Sequence, residues 1–333
     1  MKISIAMTTY NGQRYIIQQL DSIRGQSLAA CEVIIFDDCS CDNTPAIIGE
    51  YIKQHQLHNW HLHISKENMG YINNFYKSIK ETTGDIIFLS DQDDIWHNDK
   101  LEKMTGLFEA HPDMHVLDTS FKKIDADGRE IASKPRLNRA NHNLVRSHVR
   151  PGALKKLHLN DVLWRNISPG CTIALTRRCK ELFLDSCSEM CPHDWQINIY
   201  GALLGGLYFS NQILTDYRIH TNNAIGLTEL SAGMRFAKKD HSVILGNAAE
   251  QAKRAQAFLG AKWQDDLGHN KKQIFVRYKK LTEKRLSLVK TKRVSVFIDL
   301  CLHMPDYIRL QGPQGIFDDM KVCFSANKRN TTE

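Results

Sequence analysis

Four short apolar runs, separated by segments of helical periodicity, dominate the first ninety residues: "KISIAM", "EVIIF", "WHLHIS" and "DIIFLS". Between them, "RYIIQQLDSI" repeats Ile16, Leu20 and Ile23 at helical spacing. "DNTPAIIGEYIKQH" offers Asp42 or Asn43 as a cap and Pro45 in a first turn, and "YINNFYKSIKETTG" reads as a helix closed by Gly84. Strand–helix alternation with strands this apolar predicts an α/β fold, a mainly parallel sheet flanked by helices on both faces. Ligands of such sheets bind beyond the carboxyl ends of the strands. Three polar loops leave those ends here, "TTYNG" (8–12), "DDCSCDNT" (37–44) and "SDQDD" (90–94), so Thr8, Asp38 and Asp93 are expected on one rim.

The third loop carries the sharpest chemical signal. Asp91, Asp93 and Asp94 follow directly on Ile86-Ile87-Phe88-Leu89. Like charges at that spacing repel unless a cation or a proton sits between them. Carboxylates are hard oxygen ligands suited to Mg²⁺ or Mn²⁺, which keep waters or phosphate oxygens in their shell. The competing reading is an acidic cap ahead of "HNDKLEKM". In "TTYNG", Tyr10 offers a ring to a nucleobase and Thr8 polar contacts, while Asn11-Gly12 equally makes a simple turn. In "FDDCS", an acid leaving a buried strand can accept a hydrogen bond from a uracil or thymine N–H. Capping at Pro45 is already served by Asp42 or Asn43. Further on, "CPHDWQINIYG" (191–201) places Asp194 at a helix start, as a cap or as a general base for an acceptor hydroxyl; His193 is a second candidate base.

Beyond Lys100 the pattern loosens. "LEKMTGLFEAH" is expected as a helix, "HVLDTSFKKIDADGREI" as two strands around "DADG", and 134–168 as a long loop region with one helix. "CTIALT" reads as a strand, "DWQINIYGALLGG" as a helix, "YFSNQILTDYRIHTNN" as a strand pair ending in a polar loop, and the chain from about 230 as mainly helical. The nine cysteines lack the paired C-x-x-C spacing of a zinc site, which favours reduced thiols in a cytoplasmic protein. "MKISIAMTTYNG" is not a secretory signal, because its apolar stretch is too short and enters a polar loop. No apolar run is long enough to span a bilayer. The net charge of +7 is uneven: from Ser231 onward twenty Lys and Arg face ten Asp and Glu. Residues 271–293 hold ten Lys or Arg and one Glu. Such a basic amphipathic helix either lies on an anionic membrane surface or packs on the body of the protein. No aromatic-interleaved RNA or DNA module accompanies it, so nucleic acid is not an expected partner.

In order along the chain, "MTTYNG", "FDDCSCDNT", "ENMGYINNF", "SDQDDIW" and "HDW" resemble the family 2 glycosyltransferases of GT-A fold. "DTSFKKIDADGREI", "ISPGCTIALTRR" and "TDYRIHTNN" resemble the rhamnosyltransferase-like members that build bacterial O-antigen and capsule. The resemblance covers roughly residues 1–225. It implies a GT-A catalytic domain over 1–225 and a helical, basic region over 226–333. It implies an inverting, metal-dependent transfer from a dTDP- or UDP-sugar to a glycan on a polyprenyl diphosphate. A peripheral place on the cytoplasmic face of the inner membrane would suit that acceptor. Asp93 matches the family's metal ligand for Mn²⁺ or Mg²⁺, and Asp194 its catalytic base. Thr8, Thr9, Tyr10, Asn11 and Asp38 match nucleoside contacts, and Asp91 with Gln92 the segment near ribose and diphosphate. Asn68, Gly70 and Asn74 lie where members approach the donor, Gly170 and Cys171 match a loop beside the donor sugar, and Arg218 and His220 a basic segment at the diphosphate. Two departures stand out: His193-Asp194 replaces the usual Glu-Asp, and the Q-x-x-R-W signature of processive members is absent. A metal-dependent phosphotransferase or hydrolase, and a silent nucleotide-sugar-binding protein, remain as alternatives.

Overall fold

The computed structural model describes residues 1–134, 136–221, 241–260 and 267–325. The chain forms two compact units, Met1–Leu227 and Thr228–Glu333. The expected boundary at 225/226 lies outside the described residues.

The first unit is built on a nine-stranded sheet. Strands β1 (Ile3–Thr9), β2 (Glu32–Asp37), β3 (Trp60–Ile64) and β4 (Ile86–Ser90) alternate with helices α1 (Ile16–Arg24), α2 (Thr44–Gln54) and α3 (Tyr71–Glu81). The four strands are parallel in the order β3-β2-β1-β4. β1, β2 and β4 are buried along nearly their whole length, as expected for strands covered on both faces. Because β1 is flanked by β2 on one side and β4 on the other, the order reverses there, and a crevice opens beyond the carboxyl ends of β1 and β4.

The second half of the sheet is mixed. β5 (Ile95–Trp96) and α4 (Lys100–Ala110) lead to β6 (Val116–Ile124), then β7 (Leu154–Leu157), α5 (Leu159–Val162), β8 (Ile173–Thr176), α6 (Arg177–Ser186), α7 (His193–Leu203) and β9 (Leu207–Arg218). β8 inserts antiparallel between β4 and β6, and β9 runs parallel to β6 while taking β5 and β7 as antiparallel partners. Two expectations change here. "YFSNQILTDYR" is one long strand, not a pair: opposite Thr119 and Ser120, residues Asn211 and Gln212 are accommodated as an irregularity, and pairing resumes at Ile213. "DTSFKKIDADGREI" contributes one strand, with only an isolated bridge from Ile124 to Glu130, since β8 and β9 already occupy both edges of β6. The 134–168 region also holds a strand, β7, that its polar composition concealed.

The second unit is helical over its described residues, with helices His241–Leu259, His269–Thr291, Val294–Cys301 and Met304–Ser325. The basic 269–291 helix turns Phe275, Tyr278, Leu281, Leu288 and Val289 inward. Its apolar stripe is therefore covered by this unit's own core, which includes Ile244, Ala248 and Val322. Arg285 is buried with it and forms a two-pronged pair with Asp319, at 2.8 and 3.0 Å, and Tyr307 donates to the same carboxylate at 2.6 Å. No helix among the described residues is long and apolar enough to cross a membrane.

Gly206 joins α7 to β9 where two backbones meet. Its carbonyl accepts from the His115 and Val116 amides at 2.7 and 3.0 Å. A Cβ at this position would stand 2.1 Å from the Asp113 carbonyl oxygen and 2.8 Å from the His115 nitrogen, and neither backbone atom can step aside alone. Gly206→Ala is expected to lower the unfolding free energy by about 2–3 kcal/mol, as overpacking does; urea denaturation reads it, and an unchanged midpoint would contradict this packing.

Candidate active site

The crevice rim is assembled by side chains that tie its loops together. Gln92 brackets the first loop, accepting from the Tyr10 amide at 2.8 Å and donating to the Tyr10 carbonyl at 2.9 Å. Gly12 permits this, because a Cβ there would fall 2.1 Å from Gln92 Oε1. Asn11 adopts a left-handed φ of 49° and accepts from the Cys41 amide at 2.8 Å, joining the first loop to the second. Tyr10 is 45% exposed at this rim, whereas Thr8 and Thr9 are buried beneath it. Thr9 donates to Asp37 at 2.7 Å, and the same carboxylate accepts from the Ser40 amide at 2.8 Å.

Several expected donor contacts belong to the framework below the rim. Asp38 is buried and accepts from the Met69 and Gly70 amides, both at 2.9 Å, so it shapes the 69–70 turn. Gly70 carries the φ of +81° that this turn needs, and the exposed Asn68 accepts from its amide at 3.2 Å. Asn74 is buried on α3 and donates to the Phe36 carbonyl at 2.9 Å, holding helix to strand. Arg218 is the largest departure. Expected at a diphosphate, its guanidinium is buried among carbonyls: Nε donates to Asp93 O at 2.7 Å, Nη1 to Asp125 O and Ala126 O at 3.3 Å, and Nη2 to Gln18 Oε1 at 2.6 Å. Its backbone amide donates to Asp94 Oδ1 at 3.0 Å. Arg218 thus holds the acidic loop in shape, and its planar fork suits that many acceptors.

The acidic loop itself is split in two. Asp93 points to His220, with Oδ2 and Nε2 2.8 Å apart, and the imidazole lies against Tyr15, ring centroids 4.8 Å apart. Asp91 and Asp94 point the other way and meet Cys171, the ligand atoms of all three lying within 4.8 Å of one another. Burial first, then repulsion from Asp94, Asp93 and Asp194, hold the Asp91 carboxyl well above the usual range. Burial and Asp93 push Asp94 to about 7. The Cys171 thiol lies beside Asp94, and burial with the neighbouring acids keeps it protonated. Lys100, the first residue of α4, supplies a fixed positive charge: it is fully buried, its Nζ donating to Cys171 O at 2.5 Å and Thr215 Oγ1 at 2.9 Å. Motif reading missed Lys100, which had appeared only as part of a helix-start pattern.

Gly170 and Cys171 form the short 3₁₀ turn ahead of β8 and link this cluster to α7. A Cβ on Gly170 would lie 2.8 Å from His193 Nε2 and 3.8 Å from Asp194 Cβ. Asp194 is buried in the first turn of α7, with Asn166 Nδ2 donating to its Oδ2 at 2.8 Å and the Trp195 amide to its Oδ1 at 2.7 Å. Both bonds, and the helix N-terminus, favour the charged form, but burial outweighs them and its carboxyl is raised to about 6. His193 is the weaker base. It stacks on Phe75 with centroids 3.8 Å apart, and neither ring nitrogen has a hydrogen-bond partner among the described residues. Burial lowers it to about 3, so the imidazole is neutral and a poor proton acceptor near pH 7. Asn166 was invisible to motif reading, since it sits in a polar stretch without periodicity.

The donor chemistry fits a hard divalent cation. A carboxylate oxygen and an imidazole nitrogen 2.8 Å apart have the spacing of two adjacent octahedral ligands at ~2.1 Å. Asp94 Oδ2 is buried without a hydrogen-bond partner among the described residues, and burial, joined at Asp91 and Asp94 by their acidic neighbours, holds three carboxyls nearby above their ordinary range. Among the described residues, Cys171 is the one thiol beside Asp91 and Asp94, so oxygen donors dominate this cluster, as a hard cation prefers.

The raised Asp194 carboxyl makes a stability prediction. The unfolded chain releases this proton near pH 4, whereas the native state holds it to about 6, so stability falls as pH rises between the two. Asp194→Asn is expected to stabilise the metal-free protein by about 1–3 kcal/mol at pH 7.5, and the gain should vanish near pH 4. Thermal melts across that range read it; a destabilised variant at pH 7.5 would refute the burial argument.

Comparison with known proteins agrees with this architecture. The sequence model described as Glycosyl transferase family 2 matches residues 4–165. The uncharacterized protein Rv1520 of Mycobacterium tuberculosis is 28% identical over 223 residues, covering 66% of this chain and 59% of the relative, so the match spans under two thirds of that protein. The dTDP-rhamnosyl transferase RfbG of Shigella flexneri is 27% identical over 232 residues, covering 66% of this chain and 73% of that one. Among solved structures, S. aureus TarS 1-349 in complex with UDP-GlcNAc superposes with a TM-score of 0.59 at 17% identity, covering 99% of this chain and 92% of that one, a likeness of fold. Residues 4–165 of this chain thus match glycosyl transferase family 2, on a sheet of GT-A fold.

Proposed function

We propose that the chain transfers a sugar, with inversion, from a nucleoside diphosphate donor to a hydroxyl of a lipid-linked glycan during surface polysaccharide assembly. The observation that carries this reading is Asp194: a buried carboxyl raised to about 6, gripped by Asn166, and within Coulombic reach of Asp91 of the acidic loop. A base tuned to that range is ionised at neutral pH yet basic enough to share a proton in a transition state. The exposed ring of Tyr10, at the rim of the β1–β4 crevice, suits the donor base. A dTDP-rhamnose donor is favoured by the name of the Shigella relative, and a UDP-sugar by the ligand of the TarS structure. The glycan on a polyprenyl diphosphate is the acceptor that surface polysaccharide assembly would present; the putative teichuronic acid biosynthesis glycosyltransferase TuaG of Bacillus subtilis, 35% identical over 102 residues, points the same way.

In the transfer, Asp194 takes the proton of the acceptor hydroxyl as its oxygen bonds to the anomeric carbon. The bond from that carbon to the diphosphate oxygen breaks on the opposite face, and the nucleoside diphosphate leaves. Asn166 keeps the Asp194 carboxylate aimed, and Gly170 keeps the approach open, since a side chain there would press on His193. Asp93 and His220 would hold Mn²⁺ or Mg²⁺, which when bound offsets charge on the departing diphosphate as a Lewis acid. Arg218 and Lys100 fix the acidic loop on which this depends.

Purified protein incubated with UDP-, dTDP- and GDP-sugars and Mn²⁺ should slowly hydrolyse its own donor. Asp194→Asn should lower turnover by about 10²–10⁴-fold while leaving nucleotide binding by calorimetry intact. Near-normal turnover in that variant would end the base assignment. The rate should fall as pH drops below about 6, because the base must be ionised. Asp93→Asn should abolish the dependence of nucleotide affinity on Mn²⁺; an unchanged Mn²⁺ response would move the metal elsewhere.

A further inference from the structure

The short helix Val294–Cys301 and the turn after it present apolar side chains that the helical unit leaves uncovered. Leu302 is 76% exposed and Ile298 57%, and they stand four residues apart on one helical face, with the half-buried Val294 a turn earlier. Within this helix, "VSVFIDLC", only Leu300 is buried. Single exposed leucines are ordinary, whereas adjacent ones on a short, strongly apolar helix mark a contact surface.

Charge around this face is one-sided. Asp299 is neutralised within the unit by Lys284 at 2.6 Å. Asp306 is neutralised by Arg309 at 2.7 Å and Arg277 at 3.7 Å. Immediately before the helix stand Lys290, Lys292 and Arg293, which make no ion pair among the described residues. Lys292 takes a left-handed conformation, φ 57°, that ends the preceding helix and turns the chain into the apolar one. Apolar side chains beside cations on one surface are the pattern of an interfacial membrane contact.

We propose that the Ile298–Leu302 face docks on an anionic lipid bilayer, with its apolar side chains at the headgroup–acyl boundary and Lys290, Lys292 and Arg293 on the lipid phosphates. The inference does not depend on the glycosyl transfer reading. It also moves the membrane contact from the 271–293 segment, whose apolar stripe is buried, to the helix that follows. Charge complementarity selects the occupant: an apolar face that follows three cations matches a plane of phosphates better than it matches another copy of itself.

The test is flotation of the full chain with vesicles of phosphatidylcholine alone or with about one third phosphatidylglycerol, at low and high salt. Binding to the anionic vesicles only, weakened by salt, is expected. Lys290→Glu/Lys292→Glu/Arg293→Glu should reduce partitioning about a hundredfold, at roughly fivefold per cation removed. Ile298→Ser/Leu302→Ser should reduce it about tenfold or more, with circular dichroism confirming that both variants fold. No flotation with anionic vesicles, or flotation indifferent to both variants, would overturn the proposal. So would a dimer, seen by light scattering, that Ile298→Ser/Leu302→Ser dissociates, because the face would then belong to a second copy.

Discussion

The buried ammonium of Lys100, 3.9 Å from the centre of the Trp96 ring, lies within Coulombic reach of Asp91 and Asp94 at the end of β4. Burying such a cation is costly, and its proton affinity falls to about 8 despite two acidic neighbours. It still does not balance the site. Asp91, Asp94 and Asp194 all remain above the ordinary carboxyl range, chiefly because burial disfavours their charged forms. Burial, reinforced by the acidic neighbours, also keeps the proton on the Cys171 thiol, and the backbone carbonyls of the loops draw the Arg218 guanidinium inward.

A division of labour follows from burial. Gln92, Asn11, Asp37, Asp38, Asn74 and Arg218 direct their polar atoms at backbone groups or at one another, and so fix the rim as a rigid frame. Tyr10, the Asp93–His220 pair and Asp194 stand on that frame with chemistry to offer. Rigidity in the first group gives precision to the second, because a base or a ligand displaced by about an ångström loses much of its effect. In the helical unit the same economy appears in one side chain: Arg285, part of a basic run, is paired with Asp319 inside the core, while Lys290 and Arg293 are exposed and Lys292 is half-buried.

Where charge and periodicity acted over a few neighbouring residues, the sequence was readable. The β1–α1–β2–α2–β3–α3–β4 alternation, the convergence of three loops on one edge, and the prominence of Asp93 and Asp194 were all visible in spacing and in motif resemblance. Less legible was what each polar atom touches. Asp38, Asn74 and Arg218 resembled ligand contacts, and the fold gave them backbone partners. The 134–168 stretch concealed both β7 and Asn166, since a strand that borrows its register from β9 needs no periodicity of its own.

The sequence by itself determined a buried parallel sheet ending in acid, because apolar runs must leave water and their polar continuations must not. It also determined that the C-terminal third would be basic and helical. Only the tertiary structure decided which groups would be stripped of water, and hence that burial raises the Asp194 carboxyl to about 6 and lowers the His193 imidazole to about 3. It also decided that Arg218 would face inward, and that the exposed apolar face would lie on 294–302 and not along 271–293. Desolvation and partner choice depend on groups brought together from distant parts of the chain, and no local pattern encodes them.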